Sequence, residues 1–267
     1  VEQKSDKDIA IATVSHTPEI FDDLPQAMRV DKDVALATLK TGGYNFMSHV
    51  NDALKSDRDV VLAAVSVHDM FLSGVGDEFM ADKEIVMAAV KKYGPWLSKA
   101  SDALKADREV VLQAVRQAGN ALAYASDACK ADREVVLQAC RQNGNAFKFA
   151  SDDLKNDRSF VLDLVKHSGC ALEHAKSEFR DDYEIAITTV LQDSSVLERV
   201  SDRLKDDATI VEVAVATDPA GEALRHASPR LQDDKDTVLL AVSKSGRSYG
   251  FASERLKNDK EVAALAF

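Results

Sequence analysis

Residues 101–158 read SDALKADREVVLQAVRQAGNALAYASDACKADREVVLQACRQNGNAFKFASDDLKNDR, which is one pattern written twice and begun a third time. An aspartate followed by a charged pair and an apolar run recurs along the chain, at Asp6, Asp31, Asp57, Asp82, Asp107, Asp132, Asp157, Asp182, Asp207, Asp234 and Asp259. These anchor aspartates lie 25 residues apart, except for one spacing of 26 and one of 27. Because self-similarity at a fixed period is typical of repeat proteins, we predict about ten repeats, with the extra residues in turns at 41–45 and 217–221.

Each repeat begins with a predicted helix of about three turns, for which residues 107–117 are the example. Asp107 suits the N-cap, because its side chain can accept hydrogen bonds from free backbone N–H groups, and Glu109 suits the positive end of the helix dipole. The apolar residues of this helix form an arc too wide for a helix lying on one surface: Val110, Val111, Leu112, Ala114 and Val115. We therefore expect the helix to be buried between neighbouring repeats.

A glycine follows this helix in most repeats, and we expect it in the left-handed conformation that commonly ends helices. The glycines are Gly43, Gly94, Gly119, Gly144, Gly169, Gly221 and Gly246. A second, shorter helix is predicted over about residues 120–126, with Ala121, Leu122 and Ala125 on one side.

The turn SDACKAD (126–132) then returns one apolar residue to the core. Its equivalents are Met28, Leu54, Phe79, Leu104, Cys129, Leu154, Phe179, Leu204, Leu231 and Leu256. A repeat this small cannot bury its apolar faces alone, so the repeats must stack. The sequence predicts an all-α fold, an α-solenoid of about ten two-helix repeats forming one continuous domain over residues 4–267, on the order of 90 Å long.

Net charge and composition limit the classes of partner that the chain can bind. With a net charge of −11, the chain is poorly suited to bind phosphate backbones or anionic membranes, and a partner with a basic surface fits better. No apolar run approaches the roughly 20 residues needed to span a bilayer, and VEQKSDKDIA lacks the apolar core of a signal peptide. Because the chain starts without Met and stops at EVAALAF, we expect a fragment of a longer chain.

The three cysteines, Cys129, Cys140 and Cys170, are odd in number and share no metal-ligand spacing. This favours reduced thiols in a reducing compartment, such as the cytoplasm or an organelle matrix or stroma, and leaves the compartment itself open.

The repeat resembles a known family. Residues 104–128 and 129–153, and above all ADREVVLQAVRQAGNAL (106–122) and ADREVVLQACRQNGNAF (131–147), are similar to the DUF4116 repeat, which is often found in many tandem copies. The resemblance extends over essentially all of residues 4–267. It implies a helical repeat fold and supplies no catalytic residues, so it supports a binding or scaffolding role only by analogy with other solenoids.

Charged residues recur at two positions of the repeat, and we call each set a ladder. Each ladder can be interpreted either structurally or functionally. The anchor aspartates could bind metal or act as catalytic acids, but helix capping explains them better. A basic ladder lies two residues earlier, at Arg29, Lys55, Lys105, Lys130, Lys155, Arg180, Lys205 and Lys257. We expect its members to form surface ion pairs with acids such as Asp102, Asp127 and Asp152, each worth less than about 1 kcal/mol.

At a third position of the repeat the residue type changes from one repeat to the next, although the surrounding residues recur. We call its residues the variable ladder: His49, Lys99, Tyr124, Phe149, His174, Arg199, His226 and Phe251. Such a mixture of aromatic and charged side chains does not fit a core position. We hypothesise that the ladder lines a partner-binding surface, where aromatic residues and arginine often serve as anchors. The alternative is an exposed position that simply tolerates change.

Catalytic and metal-binding patterns are not apparent. His167 and His174 lie in one repeat, but Gly169 should end the helix between them and no third ligand is in register. Cys140 replaces a core valine, and Cys170 replaces a turn residue without a basic cluster around it. We therefore expect no enzyme activity, cofactor, metal or small-molecule substrate.

The sequence favours a protein-interaction scaffold, such as a peripheral or bridging subunit of a large assembly. A recognition or targeting module of a larger enzyme or effector is the alternative. Base-by-base reading of RNA is a third hypothesis, which the acidic charge opposes.

Overall fold

A computed structural model describes residues 5–41 and 50–267 of the chain. The chain divides into two compact parts, an N-terminal part, Val1–Cys129, and a C-terminal part, Lys130–Phe267. Within the described residues the regular structure is entirely helical, with no strand. The all-α prediction is confirmed.

Long α-helices begin the repeats. Arg108–Gln117 is the example, and Asp107 is its N-cap, so the predicted helix over 107–117 is confirmed. The others are Asp6–Val14, Lys32–Lys40, Arg58–Val67, Lys83–Lys92, Arg133–Gln142, Arg158–Val165, Tyr183–Gln192, Ala208–Ala216, Lys235–Lys244 and Lys260–Ala266.

A 3₁₀ helix follows where a second α-helix was predicted. After Arg108–Gln117 it runs over Gly119–Tyr124, because the extended residue Ala118 has already ended the α-helix and the six residues that remain form only 3₁₀ turns. The other 3₁₀ helices at this position are Pro18–Asp23, Asp69–Gly74, Gly94–Lys99, Gly144–Phe149, Gly169–His174, Ser194–Arg199 and Gly246–Phe251, and an α-turn, Ala223–His226, takes this place after the 217–221 turn.

A short third helix occupies the predicted turn. Its members are Gln26–Arg29, Asp52–Lys55, Asp77–Ala81, Asp102–Lys105, Asp127–Lys130, Asp152–Lys155, Ser177–Asp181, Asp202–Lys205, Pro229–Gln232 and Glu254–Lys257. In most repeats a serine at its N-cap accepts a hydrogen bond from the third helical residue, as Ser151 does from the Leu154 N–H. The two-helix prediction was therefore incomplete, since each repeat that the structure describes in full has three helical segments.

The prediction of left-handed glycines was wrong for all but one of those described. Gly221, in the 217–221 turn, has φ 73°, and no other described glycine has a positive φ. Close packing explains several of the remaining glycines. A Cβ at Gly94 would lie 2.4 Å from the Ala114 carbonyl oxygen in the next repeat, and one at Gly169 would lie 3.1 Å from Thr189 Cγ2. Gly43 and most of the 41–45 turn lie outside the described residues.

The predicted core is confirmed in the example repeat. The five apolar residues of Arg108–Gln117 are all buried, as are Ala121, Leu122 and Ala125. Of the apolar residues that the turn returns to the core, Met28 is half-buried and all the others are buried.

Backbone hydrogen bonds join successive repeats. The N–H of Ser126 donates to the carbonyl of Lys105 in the preceding repeat at 2.9 Å, and Ser201 donates to Arg180 at 2.8 Å. The same bond recurs from Ser101 to Met80, from Ser151 to Lys130, from Lys176 to Lys155, from Ser228 to Lys205 and from Ser253 to Gln232. Within each part, then, the short helix of one repeat is fastened to the start of the short helix in the next.

Ion pairs between repeats form a second link, which the sequence reasoning missed. The basic residue after an anchor aspartate reaches the next anchor aspartate and the acid two positions beyond it. Lys83 Nζ lies 2.9 Å from Asp107 and 2.8 Å from Glu109. Equivalent pairs start from Lys7, Lys32, Arg58, Arg133, Arg158 and Lys235. The recurring basic residue is visible in the sequence, but its partner lies 24 or more residues away.

Candidate partner-binding surface

The variable ladder lies at the end of the 3₁₀ segment. Lys99, Tyr124, Phe149, His174, Arg199 and Phe251 are the last residues of their 3₁₀ helices, and His226 ends the equivalent α-turn. Lys99 and Tyr124 are exposed, and the others are half-buried. None of these is a core residue, as the mixed chemistry indicated. His49 lies outside the described residues.

Local structure explains this placement. In the Gly119–Tyr124 helix, Ala121 and Leu122 are fully buried, and Ala125 beyond it is buried as well. Tyr124 falls between these inward-facing positions, with 43% of its surface exposed. The apolar positions thus hold the 3₁₀ helix against the core and leave its last residue at the surface.

Two members of the variable ladder, Tyr124 and Arg199, line clefts together with basic-ladder residues. Tyr124 and Ser126 line a shallow cleft of about 330 Å³ together with Asp102 and Lys105, which belong to the short helix of the preceding repeat. In this cleft a basic-ladder residue meets the variable-ladder residue of the next repeat, a juxtaposition that sequence spacing alone did not show.

A second cleft of this kind lies in the C-terminal part. It measures about 740 Å³, and its charged lining consists of Glu173, Arg180, Glu198, Arg199, Asp202 and Lys205. Arg199 belongs to the variable ladder, whereas Arg180 and Lys205 belong to the basic ladder of two successive repeats.

Burial and charges of both signs act on the His174 imidazole. Burial lowers the pKa of His174 below its ordinary value, and the nearby charges of Lys148, Lys155 and Arg199 lower that pKa further, while Glu173 opposes them. Lys148 also lies over the Phe149 ring, 4.8 Å from its centre. Because its pKa lies below the ordinary value, His174 is mostly neutral near pH 7.

The anchor aspartates are helix caps. Asp107 Oδ1 accepts hydrogen bonds from the N–H groups of Glu109 and Val110, at 3.0 and 3.2 Å. The anchors from Asp31 onward occupy N-caps, but in the first repeat the N-cap is Ser5, and Asp6 is the first helical residue. The capping interpretation is confirmed for every anchor except Asp6, whose role Ser5 takes.

Five of the eight members of the basic ladder form the expected ion pair within the short helix, whereas Arg180 donates a hydrogen bond to the Glu173 carbonyl. Lys105 Nζ lies 3.7 Å from Asp102, and the same spacing pairs Lys55 with Asp52, Lys155 with Asp152, Lys205 with Asp202 and Lys257 with Glu254.

The cysteines and histidines do not converge. Among the described residues, no three His, Cys, Asp or Glu side chains are grouped closely enough to hold a metal ion. Cys140 is buried, which raises the pKa of its thiol to about 12. Cys170 is half-buried, with its Sγ 3.2 Å from Ser168 Oγ. No helix within the described ranges is long and apolar enough to cross a membrane.

The comparison with known families agrees with this repeat structure. A family model described as a domain of unknown function (DUF4116) matches residues 82–130, 132–180, 182–232, 220–257 and 234–267, which together exceed half of the chain. Four of these segments begin at an anchor aspartate, and the first two each span two repeats. No curated protein and no solved structure gave a significant match. The tandem matches identify the chain as a member of the DUF4116 family.

Proposed function

We propose that this chain is a non-catalytic protein-interaction scaffold, built as a continuous α-solenoid, that acts as a peripheral or bridging subunit of a larger assembly. The variable ladder carries the proposal. Its residues change chemistry from repeat to repeat on a constant scaffold, and they lie at the surface beside clefts that include Tyr124 and Arg199. Recognition surfaces of stacked-repeat proteins are built in this way.

Two further features support the solenoid. The 25-residue period runs from Asp6 to Asp259, and within each part the same backbone hydrogen bond links successive repeats from the Ser101–Met80 bond onward. Small-angle X-ray scattering tests the shape. An elongated particle with a longest dimension on the order of 90 Å is expected from helix packing distances. A radius of gyration near 18 Å, expected for a compact globule of this length, would contradict it.

Partner capture tests the function. A variant with Tyr124→Ala, Phe149→Ala and Arg199→Ala is compared with a control carrying Lys91→Ala, Arg116→Ala and Arg141→Ala, all exposed positions outside the ladder. After gentle cross-linking in the native source, the control should retain the wild-type partners and the ladder variant should lose them. Circular dichroism checks that both variants fold. Equal capture by the two variants would refute a role for the ladder.

A further inference from the structure

The two clefts described above are built from the same six positions of the repeat. In the N-terminal part these positions hold Asp102, Lys105, Tyr124, Ala125, Ser126 and Asp127, and we call this site the Tyr124 cleft. The residues at the same positions three repeats later, from Ser177 to Asp202, all line the cleft of the C-terminal part. The cleft is therefore a feature of the repeat itself, and its chemistry depends on the residues that change.

The Tyr124 cleft has a fixed frame. The N–H of Ser126 donates to the Lys105 carbonyl at 2.9 Å, which joins the two short helices that contribute to the lining. Ala125 is buried, and Tyr124 beside it keeps 43% of its surface exposed. Tyr124 thus lines the cleft with a partly exposed aromatic side chain on a backbone that is held in place.

The charges of the Tyr124 cleft favour a cation. Its lining has two acids, Asp102 and Asp127, and one base, Lys105, whereas the lining of the C-terminal cleft has three acids and three bases. The Asp102 side chain is fully exposed, and its Oδ1 lies 3.7 Å from Lys105 Nζ, which is longer than a hydrogen bond. Because an exposed ion pair of this kind contributes little, a second cation can approach Asp102 from solvent.

Building on the scaffold function proposed above, we infer that the Tyr124 cleft binds an arginine side chain of a partner protein. The guanidinium stacks on the Tyr124 ring and donates hydrogen bonds to the carboxylates of Asp102 and Asp127. Arginine suits the cleft better than lysine, because its planar and weakly hydrated guanidinium stacks on aromatic rings and can donate two parallel hydrogen bonds to one carboxylate. A basic partner also complements the net charge of −11.

Nitrogen-15 NMR titration with the peptide acetyl-Gly-Arg-Gly-amide tests this inference. Its matched controls replace the arginine with citrulline, which keeps the shape but lacks the charge, or with lysine. The arginine peptide should bind about tenfold more tightly than the citrulline peptide and about threefold more tightly than the lysine peptide. Equal binding of the citrulline peptide overturns the assignment to a cation, and equal binding of the lysine peptide overturns the assignment to a guanidinium.

The same spectra contain an internal control. The arginine peptide should shift the backbone signals of residues 124–127. It should leave those of residues 199–202 unshifted, because Ser177 and Arg199 replace Asp102 and Tyr124 in the C-terminal cleft. Unshifted signals at residues 124–127, or equal shifts in the two clefts, contradict the inference.

Variants test the two contacts separately. Tyr124→Ala should weaken the arginine peptide about threefold, whereas Tyr124→Phe, which keeps the aromatic face, should change the affinity less than about twofold. Asp102→Asn should also weaken the peptide about threefold. Tyr93→Ala removes an exposed tyrosine outside the cleft and should leave the affinity unchanged. A loss with Tyr93→Ala equal to that with Tyr124→Ala places the peptide elsewhere and overturns the site.

Failure of this inference can be distinguished from failure of the scaffold function. If ladder-dependent partner capture persists while the arginine peptide does not bind, the arginine inference fails and the scaffold function stands. If the arginine peptide binds at residues 124–127 while capture does not depend on the variable ladder, the site stands and the ladder's role in the scaffold function fails.

Discussion

At the residue scale, a single anchor aspartate has both a local and a long-range role. Asp107 caps its own helix through Oδ1, and its Oδ2 lies 2.9 Å from Lys83 Nζ of the preceding repeat. Because Asn can cap a helix as Asp does but carries no charge, substitution can separate the two roles.

We expect Asp107→Ala to lower the free energy of unfolding by about 1–2 kcal/mol, because both the cap and the ion pair are lost. Asp107→Asn should cost less than half as much, since the exposed ion pair contributes little. Urea denaturation followed by circular dichroism measures both changes. Equal losses in the two variants would mean that the ion pair, and not the cap, dominates.

The glycines after the long helices make a second prediction at this scale. A Cβ at Gly94 would lie 2.4 Å from a backbone oxygen of the next repeat, whereas a Cβ at Gly250 meets nothing within 4 Å. We expect Gly94→Ala to destabilise the protein by about 1–3 kcal/mol, as overpacking commonly does. Gly250→Ala should be neutral or stabilising by up to about 1 kcal/mol. Thermal denaturation of the two variants separates the effect of overpacking from the effect of a less flexible unfolded chain. Similar melting temperatures for the two variants would contradict the packing explanation.

At the scale of elements, the kind of ion pair that links successive repeats changes along the chain. Tyr183 and Ala208 stand where other repeats carry the basic residue that pairs with the next repeat. There Arg230 Nε lies 2.9 Å from Asp206, and Arg255 Nε lies 3.0 Å from Asp233. The substitute pair joins the short helices instead of the long ones.

A pair of the same kind joins Arg203 to Asp181 at a junction that also keeps its Arg158–Asp182 pair, and its contribution can be measured with a double-mutant cycle. Arg203→Ala, Asp181→Ala and the double variant should give a coupling free energy of about 0.5–1 kcal/mol, because the pair is exposed but also includes a hydrogen bond from Arg203 to the Asp181 carbonyl. The carboxylate share of the coupling should shrink in 1 M salt. A cycle between Arg203 and the distant Asp163 is the control and should give no coupling. Additive losses for Arg203 and Asp181 would show that the contact is not energetically significant.

At the scale of the whole molecule, the repeated caps and ion pairs make stability depend on acid pH. The pKa values of Asp82, Asp107 and Asp182 are lowered, chiefly by their ion pairs with the preceding repeat. The Ser159 hydroxyl and the Phe160 N–H, with Arg133, lower the pKa of Asp157 to about 2. Since these groups bind protons more weakly when folded, their stabilisation is fully present above the unfolded pKa of about 4 and is lost as pH falls through the folded values.

We therefore expect the melting temperature to be nearly constant from pH 7 to pH 5 and to fall steadily below pH 4. Differential scanning calorimetry across this range is the measurement. Asp157→Asn should be less stable than the wild type at pH 7 and should lose less of its stability between pH 5 and pH 2. A wild-type profile that stays flat down to pH 3 would show that the caps contribute little.

Much of the fold can be predicted from the sequence because it depends on residues close together in the chain. The N-cap role of Asp107 and the buried arc from Val110 to Val115 depend on neighbours within one helix, so the pattern predicts them directly. The prediction of left-handed glycines was wrong because glycines such as Gly94 and Gly169 are required by close packing against the next repeat, and not by the backbone conformation at the helix end. The surface position of the variable ladder followed from its mixed chemistry, but its contact with the basic ladder could not be read from spacing.

The sequence by itself determined the 25-residue period, the helical class, the caps and the core, because each depends on residue types within a turn or two of chain. The tertiary structure decided what depends on the next repeat. It paired Lys83 with Asp107 and placed Arg180 beside Arg199 in one cleft. The physical reason is that packing and charge act through space, between residues some 20 or more positions apart, where the pattern of a single repeat carries no information.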